Sequence, residues 1–196
     1  MLQSFITLFK ILNLQILMLS ALLFFIGYAL APTAYYRKIK WLTAYPFFMI
    51  KLIDYYFKQN WSPLMIFMVI LFLNTVSLSI NLLSGWGVIL PFLFVIYMGL
   101  NVGVVIYHSL DGHYYYLSLL NPVAIIELPA AWISIAMAIQ FSLTHFFGAT
   151  FINYIHFNQY LIYFIQTVIP LLVAAALIET FLIVLARKRD KNANDH

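Results

Sequence analysis

The sequence predicts an all-α, polytopic transmembrane helix bundle, with about five spans and one interfacial amphipathic helix. Three observations lead there. Of 196 residues, 65% are hydrophobic and only 8% charged, with a mean hydropathy of +0.97, so there is far too little polar surface to coat a soluble globule. Five stretches reach the roughly 20 apolar residues that a helix needs to cross about 30 Å of hydrocarbon. Finally, all but one of the ten Lys and Arg fall in two segments, as loops on one side of a membrane require.

The first span runs over about 11–31 and is expected to end at Pro32, between Lys10 on one side and Arg37, Lys38 and Lys40 on the other. Ala29, Leu30 and Ala31 imitate a signal-peptidase site, but Pro32 would then be the first mature residue, and the apolar core has the length of a span. The segment is therefore read as a retained helix. Between the first and second spans, residues 46–60 place Lys51, Asp54 and Lys58 on one helical face with apolar and aromatic residues around the rest, the pattern of a helix lying in the interface. An extension of the second span into the headgroups is the plainer alternative.

The second span, about 63–83, opens with Ser62 as cap and Pro63 at the first helical position. A short turn through Ser84, Gly85, Trp86 and Gly87 leads into the third, about 88–110, so the two form an antiparallel hairpin. Asp111 and Gly112 stop it. The fourth span, about 122–148, again starts with a cap and a proline, Asn121 and Pro122. The fifth occupies about 160–186, and residues 187–196 form a short, basic, polar tail. No repeat or second domain is visible, so 1–186 reads as a single transmembrane domain.

Basic residues set the orientation. Arg37, Lys38, Lys40, Lys51 and Lys58 lie in the first loop, and Arg187, Lys188, Arg189 and Lys191 in the tail. Five spans put both segments on one side, and the positive-inside tendency makes that side cytoplasmic, with the amino terminus outside and the carboxyl terminus inside a cell membrane. A net charge of +4 therefore reports topology, and nucleic acid is not an expected partner.

Two carboxylates fall within spans, Glu127 and Glu179. An ionised group in hydrocarbon costs at least a few kcal/mol, so each needs a partner, a proton or water. Counting 1.5 Å per residue from the basic end places Glu127 roughly 8 Å deep and Glu179 roughly 12 Å deep, in a similar layer. Each shares its face with alanines, which let helices approach closely. Asn74 and Asn101 on the second and third spans are candidate amide partners for them. Pro129 is expected to kink the fourth helix and to free the carbonyl of Ile125.

No catalytic residue, metal site or cofactor is expected. There is no cysteine, which excludes thiolate chemistry and cysteine metal ligation. The histidines lack metal-site spacing, and the tyrosines at 114–116 with Trp41, Trp61 and Trp86 suit interfacial anchoring.

One stretch carries more than composition. Asn121 to Ala130, NPVAIIELPA, resembles the signature of the stage II sporulation protein M family, with Pro122, Glu127, Leu128, Pro129 and Ala130 in register. Asn74, the Asn101 and Gly103 pair, and the run from Ala174 to Glu179 are similar to further family features. Val123 and Ala124 depart from the His and Gly that the family often carries there. The resemblance lies mainly over residues 60–186. It implies a multi-span protein without a catalytic centre of its own; members in spore-forming bacteria act as the membrane platform for peptidoglycan-degrading partners.

The expected function is thus a non-enzymatic membrane scaffold or assembly subunit, in contact with the bilayer and either self-associating or joined to other membrane proteins. The alternative is a permease or ion-conducting subunit whose path is lined by the two glutamates and two asparagines. An intramembrane hydrolase ranks third.

Overall fold

A computed structural model describes residues 2–58, 61–148 and 155–194, with side chains at 2, 4, 52–58 and 190–194 outside the described part. All regular structure among the described residues is helical. The helices are α1 (Leu2–Ile11), α2 (Leu14–Tyr36), α3 (Lys40–Lys58), α4 (Pro63–Leu83), α5 (Leu90–Ser109), α6 (Pro122–Phe147), α7 (Phe157–Tyr163) and α8 (Ile169–Asn194). A π-helical turn, Phe164–Val168, joins α7 to α8 without a break. Five segments are long and apolar enough to cross a membrane: α2, α4, α5, α6 and the α7–α8 unit.

Both expected cap-and-proline starts are present. Ser62 accepts a hydrogen bond from the Met65 amide at 3.3 Å, and Asn121 accepts one from the Ala124 amide at 2.8 Å. Each satisfies one of the amides that a helix start leaves without an internal partner.

The first span differs from the expectation: α2 passes through Pro32 and ends only at Tyr36. Proline at 32 has no N–H for the Tyr28 carbonyl one turn back. The Tyr115 hydroxyl donates to that carbonyl instead, at 2.5 Å, while the Tyr28 hydroxyl donates to the Tyr115 carbonyl at 2.6 Å. The two rings stack at 4.4 Å, so an exchanged pair of hydrogen bonds replaces the missing helical one. The span also starts later. Residues 2–11 form the separate helix α1, docked through the buried Leu8 and Leu12.

The third span's main neighbour is not its hairpin partner. α5 packs chiefly along α2, where Gly27 abuts the Ile96 backbone and Gly99 abuts the Phe24 backbone. A Cβ at either position would run into the facing carbonyl oxygen, so these glycines let the two backbones touch, as small residues do between membrane helices. α3 lies against the same pair, with Leu42 packed on Ala31, Ala34, Leu100 and Val104. It begins at Lys40, before the expected 46; residues 59–60 of the expected interfacial helix and the side chain of Lys58 lie outside the described part.

α6 is the core of the bundle: half of its span is buried, against 17% for α4. Two of its serines hold neighbouring backbone. Ser134 donates to the Leu78 carbonyl of α4 at 2.8 Å, and Ser142 to the Gly87 carbonyl at 3.1 Å. Ser20 of α2 donates to the Trp132 carbonyl at 3.2 Å. Hydroxyl-to-carbonyl bonds of this kind join membrane helices where apolar contact alone gives no preference over lipid. The fifth span continues past 186 as helix to Asn194, so the basic stretch is an extension of α8; residues 195–196 lie outside the described part.

A candidate functional site at the α4–α6–α8 seam

α4, α6 and α8 pack against one another in all three pairings. α4 and α6 run parallel, fixed in register by the Ser134 bond to Leu78 and by Gly85 seated on the Ala138 backbone. α8 crosses α4 through Ala176, which packs with Ile66 and Ile70.

Each of these helices carries one of the sequence-predicted polar residues on its packed face. Asn74 lies one turn from the buried Ile70 on one side and the buried Leu78 on the other. Glu127 precedes Ala131 and Ser134, at i+4 and i+7, both buried. Glu179 follows Leu172 and Ala175, at i−7 and i−4, and neither of those has any exposed surface. Residues so placed are normally closed off, yet all three remain partly accessible. Glu127 and Glu179 lie within electrostatic range of each other. None of the three side chains forms a hydrogen bond among the described residues. The three helices of the seam therefore carry two acids and an amide whose hydrogen-bonding capacity is available.

The basic end of the seam is tied by Arg187, whose guanidinium donates to the Trp61 carbonyl at 3.1 Å, joining the end of α8 to the approach to α4. Arg37, Lys38, Lys40, Lys51, Lys188 and Arg189 are exposed, and Arg187 is partly buried.

Asn101 is on a fourth helix. Its neighbours on α5 are Tyr97, which meets Tyr45 of α3 at 6.5 Å, and Met98, whose sulfur accepts from Asn81 of α4 at 3.3 Å. Its Oδ1 is buried without a partner. Asn74 is thus on a helix packed against both glutamate-bearing helices, while Asn101 is on α5, outside the α4–α6–α8 seam. Pro129 sits within an α6 that runs unbroken from Pro122 to Phe147. No three His, Cys, Asp or Glu come together as metal ligands among the described residues.

Sequence reasoning missed Gln140. Fully buried in α6, it accepts from the Asn13 amide at 3.0 Å and donates to the Ile11 carbonyl at 3.1 Å, gripping the backbone where α1 gives way to α2. A lone glutamine in an apolar span was the available signal, since a buried carboxamide needs partners for both ends. The glycines of the α2–α5 contact were likewise visible as small residues, with Gly99 and Gly103 four apart on one face.

Five apolar spans of hydrophobic helix, with polar side chains turned inward onto neighbouring backbones, define a polytopic all-α membrane protein. Residues 11–182 match the family described as Stage II sporulation protein M, and the chain belongs to that family. The match reaches further toward the amino terminus than the motif-bearing stretch, taking in α2 and α3. No curated protein and no solved structure matches the chain.

Proposed function

We propose that this chain is a non-enzymatic membrane scaffold or assembly subunit, and that the α4–α6–α8 seam is where another chain is held. The carrying observation is the seam's chemistry: Asn74, Glu127 and Glu179 are on the packed helices, partly accessible and without hydrogen bonds among the described residues. Polar groups in hydrocarbon are stable only when paired or wet, and a partner helix carrying a cationic or amide side chain would satisfy all three. α4, the least buried span, is the wall with the least protein behind it.

In this reading the exposed basic residues at the α2–α3 junction and the end of α8 face the cytoplasm of a cell membrane, with the amino terminus outside. The seam then opens in the cytoplasmic leaflet. Assembly is either with a second copy or with other membrane proteins.

Native mass spectrometry after mild extraction tests the proposal. The wild type should carry a second copy or a co-purifying membrane protein, and Glu127→Gln with Glu179→Gln should weaken that association. A wild type that is strictly monomeric and partner-free would overturn it. Glutamate-dependent proton or cation flux through vesicles holding only this protein would replace it with a conducting role.

A further inference from the structure

A second polar feature lies at the opposite end of the molecule from the basic residues of the α2–α3 junction and the end of α8. A cavity of about 350 Å³ opens between α1 and the α7–π segment, lined by Gln3, Thr7, Gln159, Ile162, Tyr163 and Gln166. Its volume is at the lower end of the roughly 300–1,000 Å³ of small-molecule sites. Gln3 and Thr7 are one turn apart on α1, which is held in place by Leu8 beneath. Gln159, Tyr163 and Gln166 follow one another at helical spacing along the facing wall. Two polar stripes thus oppose each other across a groove.

The lining is chemically narrow. It contains three carboxamides, a hydroxyl, a phenol and an isoleucine, and no charged group. The three carboxamides and the phenol make no hydrogen bond among the described residues; the Thr7 hydroxyl donates to the Gln3 carbonyl at 2.9 Å and still has lone pairs to offer. Each carboxamide has both donors and an acceptor. That alternation fits vicinal hydroxyls, which also donate and accept. The lining itself offers a phosphate or an ammonium no opposite charge; the exposed Lys10 lies one turn beyond Thr7 on α1, outside it. The Tyr163 ring and Ile162 add apolar surface for the C–H face of a sugar ring.

We propose that this groove is a binding site for an uncharged polyhydroxylated group, a sugar presented either as a lipid headgroup or in free form. From Gln159 to Gln166 the wall extends roughly 10 Å along the helix, at 1.5 Å per residue. The site therefore begins where α7 begins and descends to the depth of a lipid headgroup, within reach of a sugar at the membrane surface.

The test uses the full chain in nanodiscs of phosphatidylethanolamine containing a minor share of either monoglucosyldiacylglycerol or phosphatidylglycerol, with bound lipid read by native mass spectrometry. The wild type should retain the glucolipid about tenfold over its share of the disc. Gln159→Leu with Gln166→Leu should abolish the enrichment, as should Gln3→Leu alone, which acts from the other wall and leaves the span untouched. Methyl glucoside added in solution separates the two sources: competition indicates that the free sugar is also bound, and no competition indicates a headgroup site. Enrichment that is absent in the wild type, unchanged in the variants, or greater for phosphatidylglycerol would overturn the proposal.

Discussion

Removing the Tyr115 hydroxyl isolates one element of the fold. Pro32 deprives the Tyr28 carbonyl of its helical donor, and the Tyr115 hydroxyl takes the vacant place at 2.5 Å. Both side chains are buried. Tyr115→Phe leaves that carbonyl without a partner, at a cost of about 1–3 kcal/mol. It does not disturb the reciprocal bond, because Tyr28 donates to a backbone carbonyl that phenylalanine retains. In Pro32→Ala the new amide can serve Tyr28 directly, so Tyr115→Phe on that background should cost less by about 1 kcal/mol or more, within the usual range for coupled neighbours. The assay is reversible unfolding in mixed micelles, with free energies from the four corners of the cycle. Additivity within about 0.3 kcal/mol would show that the two residues do not share the carbonyl, and the explanation for a helix running through Pro32 would fail.

The same phenol gives a pH signature. Burial pushes the Tyr115 pKa above its ordinary value of 10.0, so the stability held by the neutral phenol is complete below about pH 10 and is lost as pH climbs toward the folded value. Unfolding titrations from pH 8 to 11 should show a steeper alkaline loss in wild type than in Tyr115→Phe; equal slopes would contradict the burial. Gln140→Leu removes both bonds to the α1–α2 junction and should destabilise by about 2–3 kcal/mol. Its hydrogen exchange should accelerate at Asn13 ahead of the rest of α2, and unchanged protection there would count against the brace. Gly99→Leu must push α5 off the Phe24 backbone; a loss of more than about 3 kcal/mol is expected, measured as a fall in folded yield, and a wild-type yield would refute the close contact.

Sequence reading went furthest where a single local rule decides. The spans follow from apolar length, and the starts of α4 and α6 follow from a cap followed by proline, because the amides to be satisfied lie within three residues of Ser62 and Asn121. It stopped short where the deciding partner is distant. Pro32 looks like a helix end until Tyr115, 83 positions on in the chain, is seen to take over its hydrogen bond. The split between α1 and α2 is hidden because the residues around Asn13 are as apolar as a span, and Gln140 completes the break from α6. The α2–α5 contact depends on glycines in two helices meeting at one height, which spacing within either helix does not reveal. At the site, depth along the helices predicts a similar layer for Glu127 and Glu179, and the two lie within electrostatic range. Which asparagine shares their seam depends on how the helices are arranged around the bundle: Asn74 is on α4, which packs on both α6 and α8.

The central claim is that the α4–α6–α8 seam, which carries Asn74, Glu127 and Glu179, is accessible from the basic end. The natural chain has no cysteine, so a single cysteine placed in turn at 74, 127 and 179 can be challenged with a membrane-impermeant maleimide from each side of sealed vesicles, with Ala136→Cys in the closed core as control. All three positions should label, from the side that carries Arg187 to Arg189, while position 136 stays unlabelled. Silence at all three, or labelling of 127 and 179 from opposite sides, would contradict the account.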